Sequence, residues 1–209
     1  MPSMPDASNH NGLRESVLFF SKFLKSPRTV GALSSSSRAL AQMMVAHLPH
    51  HMPISVVELG PGTGAFTGAI VKRLGSDGRF LAIDIEPAFV KKIRERWPSV
   101  ECVCASAEDL ERLVLDRGLG PVDHIISGLP FASLPVAMTR QILEGIKHTL
   151  RPGGTFTTFQ YVHGYGMPPG RLFRRQMSAL MGGPPRRRLV LQNFPPTFIL
   201  TWQRPGGTG

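Results

Sequence analysis

At 209 residues with 42% hydrophobic and 18% charged content, the chain is sized for one α/β domain with a full core, and this composition excludes a disordered or fibrous protein. No run reaches the roughly 18 apolar residues of a membrane span, and the first residues lack a secretory leader's charged-then-apolar layout. A net charge of +10 and a pI near 10.6 imply an anionic partner, either nucleic acid or an acidic membrane surface.

Residues 1–11 are polar and contain two prolines, which predicts a disordered tail. From 12 to 26, Leu13, Val17, Phe20 and Leu24 fall on one helical face, with Leu18, Phe19 and Phe23 beside them and Arg14, Lys22 and Lys25 off its centre. Such a basic amphipathic helix either lies in a bilayer interface or packs on its own domain, and the two are compatible. The serine run 34–37 predicts the cap of a second helix over about 38–48. His47, His50 and His51 crowd its end with no carboxylate or cysteine near, so they read as a cationic helix terminus rather than a metal site. The segment 12–52 is thus an N-terminal helical layer, and 53–209 is the main domain.

That domain opens on Ser55-Val-Val-Glu-Leu-Gly-Pro-Gly-Thr-Gly-Ala-Phe-Thr-Gly68. The largely apolar run 54–59, through which no polar residue alternates, predicts a buried parallel strand, followed by Gly60, Gly62 and Gly64 and a helix over 65–74. Glycines let the backbone turn and a ligand approach closely, while the helix start offers free N–H groups. Dinucleotide folds use G-x-G-x-x-G. The spacing here, Glu58-x-Gly-x-Gly-x-Gly64, resembles motif I of the class I S-adenosylmethionine-dependent methyltransferases.

Strand two, 79–85, ends in Asp84-Ile85-Glu86, and Asp84, about twenty residues beyond the loop, is placed to accept both ribose hydroxyls. A helix over 87–97 and a strand over 100–105 lead to Ser106-Ala107-Glu108. The methyltransferase resemblance puts an adenine-reading acid where Ser106 stands, which leaves adenine contact to backbone groups and Glu108. Cys102 and Cys104, the only cysteines, sit two apart on that strand and read as free thiols. Strand four, 121–127, runs into Ser127-Gly128-Leu129-Pro130-Phe131, where amine methyltransferases acting on adenine and cytosine place N-P-P-Y or N-L-P-Y. A helix over 136–150, closed by Arg151-Pro-Gly-Gly154, precedes strand five, 155–160. A basic insertion over about 161–186 includes a helix over 171–181, and an antiparallel hairpin, 187–193 with 197–203, turns at Asn193-Phe-Pro-Pro196. After Glu144 the chain has no acidic residue, only Lys147, Arg151, Arg171, Arg174, Arg175, Arg186, Arg187, Arg188 and Arg204.

Taken together, FSKFLKSPRTVGA (20–32), VELGPGTG (57–64), SGLP (127–130) and NFPPTFILTWQR (193–204) resemble the bacterial phospholipid N-methyltransferase family. The resemblance implies one doubly wound α/β sheet of seven strands in the order 3-2-1-4-5-7-6 with the last strand antiparallel. It also implies S-adenosylmethionine as cofactor and stepwise methylation of phosphatidylethanolamine toward phosphatidylcholine. The enzyme would work peripherally at the inner face of the cytoplasmic membrane, as a monomer, with an anionic membrane and a phospholipid as partners and no nucleic acid or metal. Glu58, Gly60, Gly62, Gly64, Asp84, Ile85, Ser106, Ala107, Glu108, Ser127, Gly128 and Leu129 would hold the cofactor. Arg28, Arg171, Arg174 and Arg187 suit a lipid phosphodiester, and Phe131, Tyr161 and Tyr165 suit an amine that gains positive charge. Its proton goes to Tyr161, to His163 or to water. Three rivals remain: an rRNA adenine dimethyltransferase on the same scaffold, a small-molecule amine methyltransferase, and a non-catalytic membrane-binding protein that keeps the fold.

Overall fold

The computed structural model describes residues 38–206. The expected tail 1–11, the amphipathic helix 12–26, Arg28 and the serine cap lie outside the described residues. Described structure opens with a helix, α1 (38–44). There follow β1 (Ser55–Leu59), α2 (Thr67–Val71), β2 (Arg79–Asp84), α3 (Pro87–Arg96), β3 (Glu101–Cys104), α4 (Leu110–Asp116), β4 (Val122–Ser127), α5 (Val136–Thr149), β5 (Leu150–Tyr161), the single turn α6 (Val162–Tyr165), α7 (Pro168–Leu180), β6 (Arg186–Val190) and β7 (Thr197–Gln203). The strands form one sheet in the order β3-β2-β1-β4-β5-β7-β6, with β7 antiparallel to both its neighbours. This is the expected order.

Both faces of the sheet are covered, which is why β1, β2 and β4 are buried at nearly every position instead of alternating between buried and exposed. On one face Leu110 and Leu113 of α4, Ile142 and Ile146 of α5, and Phe173 and Met177 of α7 pack on Phe156, Leu200 and Trp202. On the other, Leu40 and Met44 of α1, Ile70 of α2 and Ile93 of α3 pack on Val56, Ala82 and Ile126. At the amino edge the Asp123 carboxylate accepts from the Ser55 N–H (2.8 Å), the Ser55 hydroxyl (2.9 Å) and Arg151, tying the starts of β1, β4 and β5 together. Cys102 and Cys104 are free thiols, the first buried and the second exposed. No helix among the described residues is long and apolar enough to cross a membrane.

Three local expectations change. Arg151–Gly154 is not the turn after α5 but the bulged start of β5, because Leu150 already pairs with Val122 and Gly154 accepts from the Arg204 N–H. The insertion after β5 is more helical than the predicted helix over 171–181: α6 occupies 162–165, and Pro168, with its preset φ, opens α7 three residues earlier. His47 is no cationic helix terminus. It packs edge-on against His124, its Nε2 lies 3.1 Å from the Thr155 hydroxyl, and burial, with His124 and Arg73 nearby, drops its pKa to about 4.

Candidate active site

The carboxyl ends of the parallel strands enclose a cleft, and the loop after β1 forms its floor. Gly60, Gly62 and Gly64 all have positive φ (70°, 54° and 84°), a region that penalises any side chain. Their surroundings separate their duties. A Cβ at Gly62 would meet nothing, so that backbone faces open space, whereas one at Gly64 would stand 2.3 Å from the Trp97 ring. Gly62 lines the cleft, and Gly64 is where the loop packs on the side chain that closes α3.

Asp84, the last residue of β2, organises the opposite wall. Its Oδ2 accepts from the Gly62 N–H and its Oδ1 from the Glu86 N–H, both at 2.9 Å. Burial raises its pKa although these bonds and one from Ile85 pull the other way. A carboxylate offers about four acceptor sites, so acceptor capacity remains for a ligand. Beyond it, the Ser106 hydroxyl accepts from the Glu108 N–H (3.2 Å) and donates to the Glu108 carboxylate (3.0 Å), so the serine caps the turn that follows β3 and holds the Glu108 side chain. Ile85, Ser106 and Ala107 line the cleft, and Glu108 does not. On the β4 side, the buried Ser127 hydroxyl takes the Leu129 N–H (3.1 Å), and Gly128 and Leu129 line the cleft.

Glu58 lies beneath the floor, fully buried. Thr67 donates to its Oε2 (2.7 Å), and its Oε1 has no partner among the described residues. Burial pushes its pKa up to about 8; the Thr67 bond opposes this and Asp84 adds to it. A carboxyl raised in the folded state stabilises the fold below its unfolded pKa, and that contribution is lost as pH rises through the folded value. The cofactor-free protein is therefore expected to lose stability relative to Glu58→Gln between pH 4.5 and 8. His47 and His124, both lowered from 6.5 to about 4, act in the opposite sense on the acid side, so the difference between the two proteins is the quantity to follow. Thermal melts against pH without cofactor would read it, and a flat difference would mean that Glu58 stays ionised.

The aromatic residues singled out in the sequence do not converge. Tyr161 lines the cleft. Phe131 is core: it stacks on Phe173 (4.6 Å between centroids) and meets Phe156 edge-on. Tyr165 turns one face to the Arg174 guanidinium, 3.6 Å from its centroid, and packs on Phe198. His163 stacks on Tyr161 from outside the cleft. Arg174 also donates to the Gln160 side chain (2.6 Å), Arg187 lies over Tyr165 and Phe198, and Arg171 is exposed. Phe66, Phe159, Leu134, Met138, Leu40 and Asn193 complete the walls. Of these, Asn193 had a signal in the N-x-P-P turn: its amide donates to the Pro195 carbonyl (2.9 Å) and the Thr197 hydroxyl (2.8 Å), holding the hairpin tip against the cleft.

A sheet in this order, with a glycine loop hydrogen-bonded to a carboxylate at the end of β2, defines a class, and the chain belongs to the S-adenosylmethionine-dependent methyltransferases. Residues 56–154 match a family model described as a methyltransferase domain. Within the class, the chain is 33% identical over 147 residues to an ornithine lipid N-methyltransferase from Singulisphaera acidiphila, which covers 69% of this chain and 77% of that protein. It is also 31% identical over 107 residues to a ribosomal RNA small subunit methyltransferase A from Acidobacterium capsulatum, covering 51% of this chain but 36% of that protein. The 1,6-didemethyltoxoflavin-N1-methyltransferase of Burkholderia thailandensis, solved with S-adenosylhomocysteine, shares the fold at a TM-score of 0.67 and 18% identity over 98% of this chain and 93% of that one. An O-methyltransferase from Bacillus cereus with the same ligand does so at 0.63 and 16%, over 96% and 92%.

The cofactor is S-adenosylmethionine, and the residues present fit it. The unpartnered buried oxygen of Glu58 suits a cationic ligand group above the floor, Asp84 retains acceptor capacity, and Ile85, Ala107 and Leu129 supply apolar contact for a flat base.

Proposed function

We propose that this enzyme methylates the amine of a membrane lipid headgroup, with phosphatidylethanolamine and its mono- and dimethyl derivatives as successive substrates toward phosphatidylcholine, at the inner face of the cytoplasmic membrane. One observation carries the reading. The part of the cleft not lined by the glycine loop and Asp84 is walled by Phe66, Phe159 and Tyr161 and opens beside a stretch of chain that holds arginines but no acid after Glu144. Such walls receive an amine that becomes cationic, and such a surface receives a phosphodiester. The similarity to a lipid N-methyltransferase points the same way.

In this reading Glu58, Gly60 and Gly62 hold the methionine end, with Gly64 setting the loop's seat on Trp97. Asp84 takes the ribose, Ile85, Ser106 and Ala107 flank the adenine with Glu108 bracing their loop, and Ser127–Leu129 border the methyl group. When bound, the cofactor supplies a methyl group already activated on a sulfonium, so the protein contributes position and exclusion of water. Burial raises the Tyr161 pKa, so its phenol stays protonated at neutral pH and takes no proton. It contributes a ring face and a hydrogen-bonding oxygen, and the amine's proton leaves to water. Arg171 and Arg187 meet the phosphodiester; Arg174 braces Tyr165 and Gln160.

Tyr161→Phe is then expected to keep kcat within about threefold, and Tyr161→Ala to lower it roughly tenfold to thirtyfold through lost cation–π contact. Loss of the alkaline limb of the pH–rate profile in Tyr161→Phe would instead make Tyr161 the base. The proposal itself is tested by incubating the full chain with methyl-labelled S-adenosylmethionine and vesicles that mix phosphatidylethanolamine with ornithine lipid. Label in N-methylated phosphatidylethanolamine is expected. Label in ornithine lipid alone would reassign the headgroup, and label in added ribosomal RNA alone would replace the lipid reading. The basic chain favours that rival, but Ser127-Gly-Leu-Pro130 lacks the asparagine of adenine enzymes.

A further inference from the structure

We propose that the tip of the β6–β7 hairpin (191–196), together with the turn from α6 into α7, forms a docking rim that enters the surface of an anionic bilayer and sets the mouth of the cleft at the level of the headgroups. The inference rests on the lipid reading above and assigns it a surface. Of the nine large apolar side chains exposed among the described residues, six fall within 162–194: Val162, Met167, Leu172, Leu189, Leu191 and Phe194. The topology gathers the turn and the tip at one place. Val190 and Tyr161 both pair with Thr197, and the Val162 N–H donates to the Pro196 carbonyl (2.9 Å), so the end of β5, the start of α6 and both ends of the tip adjoin. Leu191 is 72% exposed and Met167 57%. The rim also borders the cleft, since Tyr161 and Asn193 line it.

Charge identifies the occupant. Arg171 and Arg175 on α7 and Arg187 beside Tyr165 are exposed on the elements that carry this rim, Arg186 and Arg188 extend the basic surface along β6 away from it, and none of the five forms an ion pair among the described residues. Apolar side chains standing out from a field of unpaired cations match an interface where acyl chains lie just beneath anionic headgroups. Nucleic acid would be met by cations and stacking rings, and the aliphatic Val162, Met167 and Leu191 gain nothing there. The arginines draw the rim down, the aliphatic tips enter, and a headgroup amine reaches the cleft without its lipid leaving the bilayer.

The test is flotation of the full chain with vesicles of phosphatidylethanolamine and phosphatidylglycerol, alongside calorimetric titration with S-adenosylhomocysteine. Met167→Asp with Leu191→Asp is expected to reduce vesicle binding about tenfold or more, while S-adenosylhomocysteine affinity stays at the wild-type value. Leu115→Asp, at a leucine as exposed (77%) but near the far end of α4, is expected to float like wild type. Should the double variant lose ligand binding, the milder Leu191→Ser decides on the same two readouts. Unchanged flotation of the rim variants, an equal loss in Leu115→Asp, or a wild-type protein that ignores vesicles and binds RNA would each overturn the rim. Rim-dependent flotation by a protein that methylates no lipid would keep the rim and sink the headgroup assignment.

Discussion

Asp84→Ala is expected to weaken S-adenosylhomocysteine binding by roughly tenfold to a hundredfold or more, in a protein that still folds. The carboxylate holds the Gly62 N–H and the Glu86 N–H at 2.9 Å each, so it connects the glycine loop to the start of α3 as well as facing the ligand. Removing it strands the Gly62 and Glu86 N–H donors and takes away the charged acceptor that faces the ligand, and each charge-assisted bond carries about 1.5–3 kcal/mol. The fold pays less than the ligand does, because the burial that raises this carboxyl's pKa is relieved by alanine. Asp84→Asn should fall between the two, since one amide oxygen can still accept. Calorimetry on folded Asp84→Ala would decide, and unchanged affinity would remove Asp84 from the site.

Gly128→Ala is expected to have a comparable effect by a different route. A Cβ there would stand 2.6 Å from the Gly60 carbonyl oxygen, and neither party is a side chain that can swing away. The loops after β1 and β4 would have to separate, at a cost of about 1–3 kcal/mol for an overpacked contact. Both loops line the cleft, so stability and cofactor affinity should fall together. Gly183→Ala, where a Cβ meets nothing within 4 Å and φ is not positive, is the matched control and should leave both unchanged or slightly improve stability. A Gly128→Ala protein with wild-type melting and wild-type affinity would mean that the loops tolerate separation.

Much of this architecture is readable in the chain because it is written in adjacent residues. Ser55–Leu59 shows no alternation of polar and apolar residues, and the three glycines follow at once, so a buried strand entering a tight loop can be inferred from one short stretch. Asp84 is legible for the same reason, as the acid that terminates an apolar strand. The turn after α5 misleads because Arg-Pro-Gly-Gly has turn chemistry, and only its pairing with Val122 and Arg204 makes it strand.

The sequence by itself determined the glycine loop, the acid at the end of β2 and the basic, acid-free last third, since composition and short-range spacing specify each of these, while the strand order came from the family resemblance of its motifs. Only the tertiary structure decided which aromatic faces are open and that His47 is buried and neutral. Phe131 is closed by Phe173, forty-two positions on; Tyr165 is covered by Arg174 and Phe198; and His47 is made neutral by burial beside His124 and Thr155. An aromatic or imidazole side chain has the same local pattern whether its face is free or filled. Its role is set by partners that the chain brings to it from far away in sequence.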